Sequence, residues 1–180
     1  TSLFDKVWRR DGTDVTFEEY MNSLIKDDNN REKIIDFFFK TYKNTIQNAN
    51  PLPGAESALS FAHKNYKTAI ISASTTDQIN TILEKNQWNQ YVDLVLSQDD
   101  FKKSKPDPAS YLMGAEKLNL NPDECVVIED SKNGALAGKN AGMFVIGVRI
   151  GNKIPQDLSA ANIIIDTLKE FPEKIKELGM

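Results

Sequence analysis

The chain has 180 residues, of which 40% are apolar and 27% charged, with a formal net charge of −4 and a single cysteine. That length supports one substantial core, or a core plus a small accessory lobe, and the acidic balance excludes a general attraction to nucleic acid or anionic lipid. No apolar run approaches the length of a membrane span, nothing near Thr1 resembles a secretory signal, and one cysteine cannot form an internal disulfide, so a reducing, cytoplasmic setting is expected.

Leu3, Phe4, Val7 and Trp8 recur at helical spacing, and Thr16 is placed to cap a second helix carrying Phe17, Tyr20, Met21, Leu24 and Ile25. A third helical pattern holds Ile34, Ile35, Phe38, Phe39, Tyr42 and Ile46. Three helices with no strand between them predict a small helical lobe over residues 1–50. The run Asn50-Pro51-Leu52-Pro53-Gly54 then punctuates the chain as a hinge or linker.

Over residues 51–180 the pattern becomes an alternation of helix and strand. A helix around Ala58, Leu59 and Phe61 precedes a strand at Thr68–Ile71, and a helix from Asp77 to Lys85 precedes a strand at Val92–Leu96. A helix around Tyr111, Leu112, Ala115 and Leu118 leads to the strand Cys125–Ile128. A helix after Asn133 leads to Phe144–Val148, and Ile163–Ile165 precedes a surface amphipathic helix from Lys169 to Leu178. Short apolar strands alternating with amphipathic helices predict an α/β fold, a Rossmann-like parallel sheet covered on both faces. In such sheets the chemistry lies beyond the carboxyl ends of the strands.

Three of those ends carry polar residues. Ser72-Ala73-Ser74-Thr75-Thr76 opens a helix, where hydroxyls and free backbone N–H groups suit a phosphate oxygen; plain capping by Ser74 or Thr76 explains the same residues. Lys105, between Ser104 and Pro106, is placed to offset charge on a phosphoryl group and a carboxylate, or is a solvated lysine before a Pro-initiated helix. Lys102 and Lys103 read as solvated charges. The apolar strand Val126-Val127-Ile128 ends abruptly in Glu129-Asp130-Ser131. Adjacent carboxylates at a buried strand tip repel unless a cation or strong hydrogen bonds balance them; Mg2+ is one solution, and an acidic cap on the next helix is the other.

Together, "IISAS", "SKPDPASYL" and "VVIEDSKNGALAGKNAGM", opened by "LPGAESAL", resemble the haloacid dehalogenase superfamily, in its β-phosphoglucomutase-like phosphatase and mutase branch. The motifs fall in the family's order and spacing from Pro53 to about Val148. The resemblance implies that residues 1–50 are part of a helical cap and 51–180 the core. It implies that Ser72, with the Ala73 amide beside it, binds the transferring phosphoryl group and that Lys105 bridges that group and the nucleophile. Glu129 and Asp130 would hold Mg2+, and Ser74, Thr75 and Thr76 would fall where sugar-phosphate mutases contact a second phosphate. No basic residue stands among those three, which favours a phosphatase acting on a small phosphorylated metabolite over a mutase, with a non-catalytic phosphate-binding module as the third reading.

The family's nucleophile is the first aspartate of an Asp-x-Asp-Gly segment ending the first strand. Asp11-Gly12-Thr13 superficially matches it, but Arg9 and Arg10 precede it where an apolar strand and another aspartate belong, so it reads as a helix-to-helix turn. Alignment with the family places Thr1 inside the cap, with roughly 50 further residues expected upstream. The strand they would carry lies between the "AIIS" and "VVIE" strands, and without it the 180 residues are expected to lack turnover. His63 and Cys125 read as structural, Trp88 as packing, and Trp8, Arg9, Arg10 and Arg31 as cap residues near the substrate. Neither the substrate nor the oligomeric state is legible.

Overall fold

The computed structural model describes residues 30, 32–34, 36–37, 40–41, 45, 48–149 and 155–180. The chain divides into two compact units, Thr1–Asn48 and Ala49–Met180. In the first, the described residues from Asn30 to Asn48 are helical and Phe37 is exposed. Expectations for Trp8, Arg9, Arg10, the Asp11-Gly12 turn, Arg31, Phe38 and Phe39 lie outside the described residues.

The second unit opens at Gly54, whose φ of +88° is left-handed and whose missing side chain lets the chain pass against the Leu168–Lys169 backbone. Helix α1 (Ala55–Asn65) follows, then β1 (Ala69–Ile71) and α2 (Thr76–Lys85). The cap of α2 is Thr75, rather than the expected Ser74 or Thr76: its hydroxyl accepts from the Gln78 amide, and the Gln78 side chain accepts from the Thr75 N–H. Next come β2 (Leu94–Leu96), α3 (Ala109–Leu118), β3 (Val126–Glu129), α4 (Lys132–Asn140), β4 (Phe144–Val148), β5 (Ile163–Ile165) and α5 (Phe171–Glu177). The expected closing helix begins later, after a 3-10 turn over Leu168–Glu170, and is not wholly superficial: Phe171 and Ile175, four apart, are buried.

All recorded strand pairs are parallel, with helices on both faces, as the alternation predicts. Among the described residues they form two sheets, β1–β2 and β3–β4–β5. Val127 and Val145 face α3 and α4 through Tyr111, Ala135 and Ala137, while Ile146, Val148 and Ile165 pack with Ala58 of α1 and Phe171 and Ile175 of α5. Thr68 and Val92 fall short of the ladder. The Thr68 backbone N–H and hydroxyl instead bond the Asp93 carboxylate (2.7 and 3.1 Å), and the hydroxyl also donates to the Tyr91 carbonyl. At β3 the ladder starts one residue late and runs one further, so that Glu129 pairs with Gly147. That extension fixes the backbone of a residue expected to be functional.

Among the described residues each sheet has two edge strands, β1 and β2 in one and β3 and β5 in the other. Leu94 N–H bonds Thr68 O, and Ser72 N–H bonds Leu96 O. Because parallel ladders alternate, Ala69 and Ile71 turn their main-chain groups to the opposite edge. Phe144 N–H bonds Cys125 O, which by the same alternation turns Val126 and Ile128 away from β4.

Candidate active site

The carboxyl ends of β1 and β3 are joined through one side chain. Lys105, in the turn before α3, donates from Nζ to the Ile71 carbonyl at the end of β1 (3.2 Å) and to Glu129 Oε1 at the end of β3 (2.5 Å). Its third recorded contact is the Tyr111 hydroxyl at 2.8 Å, and the ammonium also lies 4.5 Å from the centre of that ring. Tyr111 stands in the first turn of α3, six residues after Lys105. Its hydroxyl donates onward to Glu129 Oε1 at 2.6 Å. The Lys105 and Glu129 side chains are only 14% and 10% exposed, so this is a buried ion pair.

The other carboxylate oxygen of Glu129 accepts from the Ser131 hydroxyl at 2.9 Å. Ser131 caps α4 by accepting from the Gly134 amide, so the helix start and the carboxylate are positioned by one hydroxyl. Gly134 is required for a second reason: a Cβ there would collide with the Glu129 carboxyl group. Burial pushes the Glu129 pKa upward, but the Lys105 charge and the hydrogen bonds from Lys105, Tyr111 and Ser131 outweigh it, and the net shift is downward. The carboxylate is therefore anionic at neutral pH. Burial, then the charge of Glu129, raises the Tyr111 phenol far above its ordinary range, so Tyr111 remains a neutral donor.

Ser72, Ala73 and Ser74 follow directly on Ile71. The Ser74 amide is turned onto the Ser72 hydroxyl at 3.1 Å. Thr76 leans away, donating to the Ser97 hydroxyl at 2.9 Å in a small cluster with Asp99. Asp130 is half-buried beside Glu129. Lys103 is solvated and pairs with Asp107 at 3.3 Å; His63 lies 3.7 Å from the carboxylate of Asp93, the residue just before the amino end of β2. Trp88 is buried among Ile79 and Leu83, and Cys125 is partly buried against the β3–α4 core. The sequence pattern marks Tyr111 and Gly134 only as helix residues. Their signal was present: a tyrosine six residues after the motif lysine, and a glycine in the first turn after the acidic pair.

A family model described as haloacid dehalogenase-like hydrolase matches residues 10–148. This chain belongs to the haloacid dehalogenase-like hydrolases. The chain is 32% identical over 167 residues to a haloacid dehalogenase-like hydrolase domain-containing protein of Arabidopsis thaliana, covering 87% of this chain and 52% of that protein. It is 37% identical over 92 residues to the phosphorylated carbohydrates phosphatase of Thermotoga maritima, covering 51% and 43%. The crystal structure of β-phosphoglucomutase from Clostridium difficile superimposes with a TM-score of 0.69 at 30% identity, over 84% of this chain and 67% of that one. The resemblance to the phosphoglucomutase-like branch of the haloacid dehalogenases thus holds at the level of sequence and of fold. The chain spans about half the length of the curated relatives it matches.

Proposed function

We propose that these 180 residues supply the phosphate-binding and metal-binding half of a haloacid dehalogenase-type phosphatase that hydrolyses a small phosphate monoester, such as a sugar phosphate, through an aspartyl-phosphate. The observation that carries this reading is the single ammonium of Lys105 joining the ends of β1 and β3, next to Ser72 on one strand and bonded to Glu129 on the other. The relatives acting on phosphorylated carbohydrates support the substrate class.

The donor chemistry fits Mg2+. Both carboxylates are hard oxygen donors at a strand end, and Mg2+ commonly completes its shell with waters and substrate phosphate. Among the described residues no group of three or more His, Cys, Asp or Glu side chains is arranged to hold a metal, so this pair is a partial ligand set. Both Glu129 oxygens are engaged by protein donors, so Glu129 would act through water or by holding Lys105, with Asp130 as the second carboxylate proposed for the metal. Mg2+ bound there would offset negative charge on the phosphoryl oxygens.

The chain's own groups do the rest. Ser72 Oγ and the Ala73 amide donate to two phosphoryl oxygens, with the Ser74 position beside them. Lys105 neutralises charge on the same group as the transition state forms, and Tyr111 and Glu129 hold its ammonium at that place. The aspartate that attacks phosphorus would come from a further strand, and the chain as it stands would not turn over. Residues 1–50 would form part of a cap domain and residues 51–180 the core, joined near Pro51–Gly54. The single cysteine fits a reducing cytoplasm.

The test is phosphate release by the full polypeptide encoded by the gene, against a panel of phosphate monoesters with and without Mg2+. Hydrolysis of a sugar phosphate is expected. Substituting Lys105 by Met should lower kcat by at least about 100-fold, in the range found when one charge-stabilising donor is removed. A fully folded protein with no turnover on any monoester would sink the reading. Assay with β-glucose 1-phosphate and a bisphosphate primer separates phosphatase from mutase; the hydroxyl-only set Ser74, Thr75 and Thr76 leads us to expect hydrolysis.

A further inference from the structure

The carboxyl end of β2 carries a polar cluster that the phosphoryl site does not use. Ile71 pairs with Leu96, so Ser72 and Ser97 leave neighbouring strands side by side, about 4.8 Å apart. Ser97 is fully buried, where most serines meet water. Its hydroxyl accepts from the Thr76 hydroxyl at 2.9 Å and from the main-chain N–H of Asp99 at 3.1 Å. The same hydroxyl lies 3.0 Å from Asp100 Oδ2 and 3.3 Å from Asp99 Oδ2. The main-chain N–H of Gln98 donates to the Ser74 carbonyl at 3.0 Å, which ties this loop to the one that carries Ser72.

Asp99 sits where an anionic ligand would go. A helix start presents unpaired N–H groups and the positive end of the dipole, and both attract anions. At α2 the attraction is met from within the chain. The Gln78 N–H is taken by the Thr75 hydroxyl, and the Thr76 N–H and hydroxyl each lie 3.3 Å from Asp99 Oδ2. Asp77 adds a carboxylate in the same turn. The Ser97 N–H and hydroxyl hold the Asp100 carboxyl below its ordinary pKa, so it too is charged at neutral pH. Among the described residues, neither Asp77 nor Asp99 forms an ion pair.

We propose that Asp99 is a specificity-determining residue: its carboxylate fills the anion-attracting start of α2 and thereby excludes substrates that carry a second phosphate. This rests on the phosphoryl site proposed above and narrows its substrate class to monophosphates. The charge balance carries the argument. A phosphoryl group on Ser72 has the Lys105 ammonium, at the end of the same strand, to offset it. A second phosphate reaching Thr76 meets Asp99 and Asp77 instead, and must displace Asp99 from two donors. A sugar hydroxyl in the same place loses nothing, because it can donate to that carboxylate. Selection then comes from repulsion by the protein's own side chain, on top of any contact made to the favoured substrate.

Two measurements test this apart from the reading it rests on. In the full polypeptide with Mg2+, kcat/KM is compared for the best sugar monophosphate of the panel and for the bisphosphate of the same sugar. The parent should favour the monophosphate at least about tenfold, and Asp99→Asn, which keeps an acceptor but removes the charge, should narrow that ratio about fivefold. The change should lie in a lower KM for the bisphosphate, with kcat on the monophosphate within about twofold of the parent. Asp99→Glu should keep most of the preference. Glu177→Gln, the same charge change on α5, should leave it unaltered. Raising the salt from about 0.05 to about 0.5 M should erode the preference of the parent and not that of Asp99→Asn, since Asp99 is exposed and its field is screened.

The second measurement needs no turnover. Inorganic phosphate is titrated into the metal-free polypeptide and followed by backbone amide NMR shifts. In Asp99→Asn the Thr76 and Asp77 amides should respond at phosphate concentrations at least about fivefold lower than in the parent, while the Ala73 amide responds alike in both. A parent that prefers the bisphosphate would overturn the proposal. So would an Asp99→Asn enzyme whose substrate ratio stays within about twofold of the parent, or whose kcat falls equally on both substrates. Unchanged phosphate binding at Thr76 would overturn it as well, whether or not the enzyme hydrolyses monoesters. Loss of all turnover in the parent would sink the phosphatase reading instead and leave the titration to decide the role of Asp99.

Discussion

Glu129 stays charged in a site that is only 10% exposed because three donors converge on it from α3, the preceding turn and the cap of α4. Removing one of them is expected to be severe. Lys105→Met leaves a buried carboxylate without its counter-charge and should destabilise the chain by about 3–5 kcal/mol, measured by urea unfolding. The sign with pH follows from the lowered pKa of Glu129. Its contribution is fully present above the unfolded-chain value of about 4.3 and is lost as pH falls through the lower folded value. A Glu129→Gln chain should therefore show a flatter loss of melting temperature below about pH 4 than the parent. At Gly134 an added methyl meets a carboxyl group that cannot retreat. Gly134→Ala should destabilise by about 1–3 kcal/mol, despite the better helix propensity of alanine, in the same urea measurement.

At the scale of the elements, local chemistry explains most boundaries. Thr75 and Gln78 close α2 at its start with reciprocal side-chain bonds, and Thr75→Ala should cost about 1 kcal/mol in urea unfolding. The strands Phe144–Val148 and Ile163–Ile165 begin and end where their apolar runs do. Thr68, Val92 and Cys125 continue the apolar patterns but fall outside the strands: the Thr68 N–H goes to the Asp93 carboxylate, and the Val92 and Cys125 N–H groups bond the Asn89 and Pro122 carbonyls of the preceding 3-10 turns. No periodicity argument distinguishes those residues from strand. Glu129 errs the other way: it is polar, yet it pairs, since register is set by β4 and not by hydrophobicity.

For the whole molecule, stability is uneven between the centre of a sheet and its edge strands. Ile146, fully buried in the centre of its sheet, should cost about 2–5 kcal/mol when cut to alanine. Ile128→Thr, on the free edge, should change the stability of the isolated chain by less than about 1 kcal/mol, as its side chain already meets solvent. Comparative urea titrations of the two variants check this contrast; equal losses would show that the β3 edge is covered in solution.

The alternation of apolar runs and helical faces determined, by itself, that this is a parallel α/β chain; the resemblance to the haloacid dehalogenases came from the motifs at its strand ends. Those patterns are local: each strand and helix announces its buried face within a few residues. The three motifs named Ser72, Lys105, Glu129 and Asp130 because each sits at a strand end, which topology makes chemical. Only the tertiary structure decided that Lys105 holds Glu129 and the Ile71 carbonyl together, that Tyr111 and Ser131 complete the carboxylate's shell, and that Gly134 makes room for it. The contacts of Lys105 and Tyr111 with the two strand ends join residues 18 to 34 positions apart, and no local pattern specifies which side chains meet across that distance. The free edges of β1 and β3 are likewise properties of the assembled sheets, since a strand's sequence states which face it buries and not which neighbour completes its hydrogen bonds.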